Sequence, residues 1–424
     1  MTKTTELRVP GDKSISHRGL IMASLSSGRC KITGLLDSAD VRSTASVLSA
    51  YGVTVPDTRA AEVVIDGRGL RGYSAPSVRL DCGNSGTTTR LMMGVAAAKP
   101  FTSVFDGDRS LRSRPMRRVT DPLTAMGARI RELEQPDRLP IELKGGALNS
   151  VTVHNDKSSA QVKSAILLAA LCGNVKATVI EPIHSRDHTE RMLNSLGVEV
   201  RTIVDANRGM EITIDPAAQL DTFELQVPGD FSSAAFVLAR GLLEGPPIRI
   251  ADVGVNATRT GFLDVVRRMQ GTLQVEDRRT SCNEPIATLI ANASKLHATH
   301  IEGAEIPHLI DEIPIIAVLA ARAEGETIIR GAGELRVKET DRLKAMAENL
   351  TAVGVIAIET EDGLIIEGGE RPLKGNIKTF GDHRIAMAFG VLGSLDGNEI
   401  AIDDVACVDV SFPTFWETLR GLKG

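Results

Sequence analysis

Aromatic residues are scarce in this sequence, making up 3% of 424 residues with a single tryptophan. The cores must therefore be aliphatic, and a platform on which nucleic-acid bases stack is not indicated. Long hydrophobic runs are also missing, since runs such as 165–171 fall well short of the roughly 20 residues that a membrane helix needs. The first six residues have no apolar stretch behind their charges, so we expect no signal peptide.

Paired cysteines and an excess of positive charge are missing too. The five cysteines lie far apart and form no C-x-x-C pair, so neither a zinc site nor a disulfide framework is indicated. Reduced thiols in a cytoplasmic protein are the expectation. A net charge of −5 gives no global attraction to nucleic acid or to an anionic membrane, so we expect neither as a partner. Any anion must be bound by local lysines and arginines.

A recurring phrase indicates an α/β fold. An apolar helix end, a glycine and an alternating strand appear around Gly52, Gly127, Gly197 and Gly354, with a weaker copy around Gly271. Each glycine stands where a helix C-terminus favours a left-handed residue, and the alternation after it has the period of a strand. The spacing of about 70 to 80 residues suits an α/β unit of several elements.

A second repeat predicts the domain organisation. Val9-Pro-Gly-Asp12 and Val227-Pro-Gly-Asp230 are each followed by a helix-like segment. We interpret these turns as two crossings between similar domains, with hinges near 10–13 and 227–231. One domain then holds 12–227, and the other holds 1–11 plus 228–424. The alternative is two unrelated Pro-Gly turns, which are common.

Many predicted helix starts carry side chains suited to anions, which helix N-termini attract. Taken singly, each has an ordinary structural explanation as a cap or a solvated charge. Ser158 to Gln161, for example, reads as a capping box in which Gln161 reaches back to Ser158. Their number favours a positive pocket if the fold aims them into one cleft. The segments are 12–18, 83–90, 107–118 (with five arginines), 158–161, 185–190, 338–342 and 381–384.

Two acidic positions are candidates for acid–base chemistry. Asp311 lies between apolar runs, which can raise a carboxyl pKa. Glu339 has Lys338 and Arg342 beside it, and these oppose such a rise, so its protonation state stays open. One histidine and two carboxylates in 185–190 are weak grounds for a metal, and we expect none.

At these residues the chain resembles the EPSP synthase family of enolpyruvyl transferases nearly end to end. The motifs are 10–18, 83–87, 114–115, 158–163, 185–190, 311–314, 336–342, 381–384 and 411–413. The resemblance implies a two-domain inside-out α/β barrel. Each domain would have three βαβαββ repeats, with helix N-termini facing the interdomain cleft. It also implies transfer of enolpyruvyl from phosphoenolpyruvate to the 5-hydroxyl of shikimate 3-phosphate, no cofactor, and a monomer.

The resemblance also implies residue roles. Lys13 would contact both substrates, Asp311 would deprotonate the attacking hydroxyl and Glu339 would protonate the enol methylene. Shikimate 3-phosphate would be held by Lys13, Ser14, Arg18, Ser158, Ser159, Gln161, Ser185, Arg186, Asp311 and Lys338. Phosphoenolpyruvate would be held by Lys13, Asn84, Gly86, Arg114, Gln161, Arg342 and Arg384.

Some positions depart from the family pattern, and alternatives remain. Val410 stands where many relatives have a lysine, and Glu334 where some have asparagine. A UDP-N-acetylglucosamine enolpyruvyl transferase is one alternative, although such enzymes typically carry a cysteine in the loop matching 107–115, where this chain has arginines. A non-catalytic anion-binding relative and an RNA-end enzyme on a similar fold are others. The presence of Lys13, Asp311 and Glu339 counts against a non-catalytic relative. The lack of an overall positive charge counts against an RNA-end enzyme.

Overall fold

The chain forms two compact units in a computed structural model that describes residues 5–205 and 209–422. The first, here called the 11–227 unit, contains Gly11–Val227 and the short segment Thr280–Glu284. The second, the 228–424 unit, contains Pro228–Arg279, the residues from Pro285 onward and the residues up to Pro10.

Helices and strands alternate along the whole of the described chain. The strands are β1 (Thr5–Leu7), β2 (Arg29–Thr33), β3 (Glu62–Asp66), β4 (Leu80–Asp81), β5 (Thr102–Asp106), β6 (Arg129–Glu132), β7 (Ile141–Lys144), β8 (Val151–His154), β9 (Ala177–Glu181), β10 (Val200–Asp205), β11 (Gly209–Ile214), β12 (Glu224–Gln226), β13 (Ile248–Gly254), β14 (Thr272–Ser281), β15 (Glu284–Asn292), β16 (His300–Ile301), β17 (Glu326–Ile329), β18 (Ile356–Glu359), β19 (Leu364–Glu367), β20 (Lys374–Ile377) and β21 (Glu399–Ile402). The α-helices are α1 (Lys13–Leu25), α2 (Ala39–Ala50), α3 (Gly86–Ala97), α4 (Arg109–Arg112), α5 (Arg117–Ala125), α6 (Ala160–Gly173), α7 (His188–Ser195), α8 (Phe231–Leu243), α9 (Gly261–Arg268), α10 (Ile313–Arg322), α11 (Arg342–Ala352), α12 (His383–Gly393) and α13 (Phe415–Gly421). Short 3₁₀ turns cover Ile306–His308, Gly333–Val337 and Ala406–Val410.

The 11–227 unit contains three small mixed sheets of one design. Their strand orders are β12-β2-β3, β4-β5-β7-β6 and β10-β11-β9-β8. In each sheet one parallel pair (β12 with β2, β4 with β5, β8 with β9) is extended by antiparallel strands. A parallel pair needs a crossover, which α3 supplies between β4 and β5 and α6 between β8 and β9. The partner of β2 is β12, near the end of the unit, and α1 lies directly before β2.

The 228–424 unit contains two sheets of this mixed design, ordered β1-β13-β15-β14 and β16-β17-β19-β18, and a third sheet that is the parallel pair β20-β21 alone. Its first sheet uses the N-terminal strand β1, which pairs in parallel with β13 so that Thr5 lies opposite Ile248. The α/β class that the repeats predict is thereby confirmed.

Three helices in each unit are buried on every side, which accounts for the inside-out arrangement of sheets around helices. The helices α1, α3 and α6 consist mainly of apolar or small residues. In α6 every residue from Val162 to Cys172 is buried. A helix that is apolar all round must lie in a core. Gly94 permits close packing of α3 on α6, because a β-carbon there would stand 2.2 Å from the carbonyl oxygen of Ala165. In the 228–424 unit α8, α10 and α12 are buried in the same way.

The glycines of the recurring phrase adopt the predicted left-handed conformation, with φ from 79° to 115° at Gly52, Gly127, Gly197 and Gly354. The weaker copy differs. There the left-handed residue is Gln270, with φ of 63°, one position before the glycine. Within the described ranges, no helix combines the length and the apolar character that crossing a membrane requires.

Candidate active site

The predicted site residues fall into two sets, one in each unit. The 11–227 unit contains Lys13, Ser14, Arg18, Asn84, Gly86, Arg114, Ser158, Ser159, Gln161, Ser185 and Arg186. The 228–424 unit contains Asp311, Lys338, Glu339, Arg342 and Arg384.

The first turn of α1 carries Lys13 at the start of a buried helix. Asp12 is the N-cap, and its side chain accepts the backbone N–H of Ile15 at 2.9 Å. The Lys13 side chain is 21% exposed, and its Nζ lies 3.2 Å from Oδ2 of Asp40 at the start of α2. A cation therefore stands at a helix N-terminus, where both the ammonium and the free N–H groups favour an anion.

Arg18 lies one turn deeper in α1 and joins three helices. Its Nη1 donates to the carbonyl oxygen of Ser14 at 2.9 Å, its Nη2 to Oγ of Ser164 at 2.8 Å and its Nε to Oγ1 of Thr189 at 2.8 Å. Burial lowers the pKa of this guanidinium to about 10, so it remains a cation at neutral pH. The predicted pair Ser14 and Arg18 is thus brought together, as their i,i+4 spacing indicated.

The glycine-rich turn before α3 contacts the arginine loop. Asn84 Nδ2 donates to Oδ2 of Asp108 at 2.7 Å, and Asn84 Oδ1 accepts from Nη2 of Arg114 at 2.6 Å. Gly86 opens the helix, and a β-carbon there would lie 2.6 Å from Nη1 of Arg90 and 3.4 Å from Nη1 of Arg114. Three of the five residues of this unit that are predicted to hold phosphoenolpyruvate therefore lie together around the N-terminus of α3.

Gln161 connects the N-terminus of α6 to that of α3. Its Nε2 donates to Oγ1 of Thr87 at 2.8 Å, and its Oε1 accepts from Nη1 of Arg90 at 2.7 Å. Arg90 belongs to the glycine-rich segment 83–90, but it is not among the predicted site residues. The signal that could have found it is its position four residues after Gly86, on the same helix face.

The predicted capping box at Ser158 is wrong. The N-cap of α6 is Ser159, which makes no side-chain cap hydrogen bond, and Ser158 adopts a left-handed conformation with φ of 47°. Oγ of Ser158 accepts the backbone N–H of Ile183 at 3.2 Å instead. Gln161 does not reach back because a charged donor on α3 offers its oxygen a stronger hydrogen bond.

Ser185 and Arg186 precede α7, which begins at His188 rather than at the serine. Ser185 is buried, and both of its donors point to Glu181, with the N–H at 3.0 Å from Oε2 and the hydroxyl at 2.9 Å from Oε1. Arg186 is partly exposed. It lies close enough to Arg18 to lower the pKa of that residue slightly, so two cations stand near each other here.

In the 228–424 unit one buried arginine organises the acidic residues. Arg342 is 1% exposed and donates through Nε to Oδ2 of Asp382 at 2.7 Å and through Nη2 to Oε2 of Glu339 at 2.6 Å. Its Nη1 lies 3.6 Å from Oδ1 of Asp311. Burial lowers the pKa of Arg342, but the three carboxylates outweigh burial and raise it overall. The two predicted acid–base residues therefore share one guanidinium.

Arg384 completes this group from the first turn of α12. Its Nη1 donates to the carbonyl oxygen of Asp311 at 3.0 Å, and its Nη2 lies 3.7 Å from Oδ2 of the same residue. Lys338 follows the 3₁₀ turn Gly333–Val337 and is partly exposed. The helix predicted to open at Lys338 begins instead at Arg342, with Asp341 as its N-cap.

Asp382 is the functional neighbour that sequence reasoning left unassigned. It is fully buried, it caps α12 by accepting the N–H of Arg384 at 2.9 Å, and it binds Arg342 from 40 residues away. Its place in the 381–384 motif identified a cap, but nothing local identified its partner.

The two sets suit different tasks. The 11–227 set offers hydroxyls, amides and cations at helix starts, which bind anions. The 228–424 set holds two carboxylates and two arginines in a largely buried cluster, which suits proton transfer beside an anionic substrate. Among the described residues, no group of three or more histidines, cysteines or acidic residues is arranged to hold a metal.

Sequence comparison identifies the family. The sequence model described as EPSP synthase (3-phosphoshikimate 1-carboxyvinyltransferase) matches residues 3–419. A protein of Geobacter metallireducens named 3-phosphoshikimate 1-carboxyvinyltransferase is 43% identical over 416 residues, covering 98% of this chain and 96% of the relative. A protein of the same name from Synechococcus sp. is 46% identical over 420 residues, with the same coverage.

Comparison with solved structures agrees. EPSP synthase from Acinetobacter baumannii superposes with a TM-score of 0.86 at 38% identity, covering 99% of this chain and 96% of that one. The enolpyruvyl transferase NikO from Streptomyces tendae superposes with a TM-score of 0.75 at 16% identity, covering 100% and 95%, which supports the fold alone.

Proposed function

The chain belongs to the EPSP synthase family, and we propose that the two carboxylates sharing Arg342 carry out the proton transfers of its reaction. That reaction moves the carboxyvinyl group of phosphoenolpyruvate to the 5-hydroxyl of shikimate 3-phosphate and releases phosphate. The enolpyruvyl-transfer function expected from the sequence is confirmed, and the UDP-N-acetylglucosamine alternative is not favoured.

Each substrate takes its own part of the site in this proposal. Lys13 contacts both. Shikimate 3-phosphate is held by Ser14, Arg18, Ser158, Ser159, Gln161, Ser185, Arg186, Asp311 and Lys338. Phosphoenolpyruvate is held by Asn84, Gly86, Gln161, Arg114, Arg342 and Arg384. What supports this division within the 11–227 unit is that Arg114 hydrogen-bonds Asn84 beside the N-terminus of α3, while Arg18 hydrogen-bonds the Ser14 carbonyl at the N-terminus of α1. Gln161 of α6 is hydrogen-bonded to the helix that carries Gly86.

The chemistry needs one acid and one base. Phosphoenolpyruvate is a poor electrophile at C2 until its methylene carbon gains a proton, which Glu339 supplies. Asp311 removes the proton of the attacking 5-hydroxyl. The methyl group of the tetrahedral intermediate then returns a proton to the Glu339 carboxylate as phosphate leaves, which restores the C=C bond. The surrounding cations stabilise the charge of the departing phosphate in a preorganised site. Holding both substrates together contributes through proximity.

The observation that carries this proposal is the contact of Arg342 with both Glu339 and Asp311. In the absence of substrate the guanidinium favours the ionised form of Glu339. A substrate carboxylate that binds Arg342 competes for its positive charge. Glu339 then has less cationic stabilisation, which favours the protonated form that donation needs.

We further propose that the two units close on shikimate 3-phosphate about hinges near 10–13 and 227–231, which brings the two sets of residues to one cleft. The anion would relieve the repulsion between facing basic helix starts. Small-angle scattering with and without shikimate 3-phosphate tests this, and identical profiles would refute it. A cytoplasmic monomer is the accompanying proposal, since the family members that the sequence resembles are often monomeric.

The decisive experiment measures phosphate release from phosphoenolpyruvate, with shikimate 3-phosphate or UDP-N-acetylglucosamine as acceptor in parallel. We expect release with shikimate 3-phosphate alone. Release with the nucleotide sugar alone would overturn the proposal, and no release with either would indicate a non-catalytic anion-binding protein.

A further inference from the structure

A buried ammonium lies behind the proposed phosphate-binding residues of the 11–227 unit. Lys163 of α6 has no exposed side-chain surface, and its Nζ lies 3.2 Å from Oε2 of Glu181 and 2.7 Å from Oε1 of Glu190. It also donates to the carbonyl oxygen of Ser185 at 3.1 Å. The ammonium group thus has two hydrogen-bond acceptors and a second carboxylate at ion-pair distance. Burial lowers the pKa of Lys163, but the two glutamates raise it overall, so the group is charged.

We call Lys163, Glu181 and Glu190 the Lys163 cluster. Within it, Glu181 connects to the segments that contain Ser159 and Ser185. It accepts the N–H and the hydroxyl of Ser185, as described above, and its Oε1 also accepts from Nδ2 of Asn155 at 2.6 Å. Asn155 in turn donates to the carbonyl oxygen of Ser159 at 3.0 Å and accepts the Ser159 N–H at 3.2 Å. One network thus fixes the backbone at both places.

Glu190 balances the charges around the cluster. Burial raises its pKa, and Lys163 acts in the opposite direction. Its other charged neighbours are Arg18, His184 at 4.0 Å and the like-charged Asp187. The cluster therefore ties α6, β9 and α7 to the arginine of α1.

Such a cluster is a poor way to add stability. Replacing a buried ion network by apolar residues of similar volume is often neutral or stabilising, because desolvation offsets the attraction. A positioning role explains it better. Both donors of Ser185 are directed at Glu181, which anchors this residue. The adjacent Arg186 is partly exposed, so it is the cation whose position this anchoring can set.

We propose that Lys163 and Glu181 are positioning residues that make the site select an acceptor carrying a phosphate group. They do so by fixing the backbone of Ser185–Arg186 and of Ser159. This inference rests on the proposed function, in which Ser159, Ser185 and Arg186 hold shikimate 3-phosphate, and it assigns them to the phosphate group of that substrate. Preorganised ligand groups lower the cost of binding, so releasing the backbone that holds them weakens the affinity for the group that they contact.

The test uses Lys163→Met and the isosteric Glu181→Gln in the full chain. Lys99→Met is the matched control, because Lys99 is also fully buried in this unit but donates to the carbonyl oxygen of Leu70 and contacts Tyr73, away from the predicted site. Calorimetry gives the Kd of shikimate 3-phosphate and of unphosphorylated shikimate, and phosphate-release assays give kcat and both KM values.

We expect the Kd and KM for shikimate 3-phosphate to rise at least about tenfold in both variants, since losing one hydrogen bond to a charged group weakens binding by about that factor. The Kd of shikimate, the KM of phosphoenolpyruvate and kcat should stay within about threefold of wild type. If Lys163→Met does not fold, Glu181→Gln carries the test alone.

Three results would overturn the inference while leaving the proposed function intact. These are an unchanged affinity for shikimate 3-phosphate, an equal loss of affinity for shikimate, and the same loss in Lys99→Met. A wild-type protein that neither binds shikimate 3-phosphate nor releases phosphate with it would overturn the proposed function together with this inference.

Discussion

Replacing Asp382 with asparagine separates the charge of this residue from its role as a helix cap. Asp382 is fully buried, and its carboxylate contacts Arg342 at 2.7 Å and 3.3 Å, while Oδ1 accepts the N–H of Arg384. Asparagine has the same shape and is an equally good N-cap. The variant Asp382→Asn therefore keeps the cap and deletes one charge of a buried pair.

The expected loss follows from the burial of both partners. Removing one member of a buried ion pair costs about 3–5 kcal/mol. Glu339 and Asp311 still face Arg342, so we expect the lower end, about 3 kcal/mol. For about 150–250 residues each kcal/mol shifts the melting temperature by about 2–4 °C, so melting of the 228–424 unit should fall by about 6–12 °C.

The matched control is Asp341→Asn. Asp341 caps α11 by accepting the N–H of Lys344 at 3.1 Å and pairs with Arg336 at 2.8 Å, but the two side chains are 34% and 27% exposed. Such pairs contribute about 0–1 kcal/mol, so its melting temperature should fall by no more than about 4 °C. Scanning calorimetry measures both variants. Equal shifts, or an Asp382→Asn protein that melts within about 2 °C of wild type, would refute the reasoning.

Three further predictions concern other parts of the chain. Glu339→Gln should lower kcat by about 10²–10⁴, because it keeps the shape beside Arg342 but cannot donate the proton, and a rise in the KM of phosphoenolpyruvate with unchanged kcat would exclude the donor role. Gly86→Ala should displace Arg90 and raise the KM of phosphoenolpyruvate about tenfold without lowering the melting temperature. The control Gly146→Ala places its β-carbon with nothing within 4 Å and should change neither the KM nor the melting temperature. Equal KM values in the two variants would contradict this prediction. Burial lowers the pKa of His17 to about 3, so as the pH falls the unfolded chain takes up a proton before the folded chain does. The contribution of this group to stability is therefore complete above about pH 6.5. It is lost as the pH falls towards 3, by up to about 1.4 kcal/mol per pH unit. Urea unfolding at pH 7 and pH 5 should therefore show a smaller loss in His17→Gln than in wild type, and equal losses would count against a neutral buried His17.

Local features of the fold were readable from the sequence because they depend on neighbouring residues. The caps Asp12 and Ser85 each accept an N–H three residues on, which short polar side chains before apolar runs predict. The glycines of the recurring phrase are left-handed for a similarly local reason. Around Gly271 the same turn uses Gln270 instead, since a few non-glycine residues tolerate this conformation when packing favours the turn.

Partners from distant parts of the chain were not readable. Gln161 matched a local capping pattern, yet its amide binds Thr87 and Arg90, more than 70 residues earlier. Arg342 likewise binds Asp382, 40 residues later, and no local pattern predicts that pair.

The sequence by itself determined the family, the reaction and some of the helix starts, such as those of α1 and α3, because ordered motifs and helix caps are properties of short segments. Only the tertiary structure decided that Lys163 is a buried cation and that Asp311, Glu339 and Asp382 share Arg342. The physical reason is that burial and charge pairing depend on which helices pack together, and that packing joins Lys163 to Glu181, 18 positions later, and Arg342 to Asp382, 40 positions later.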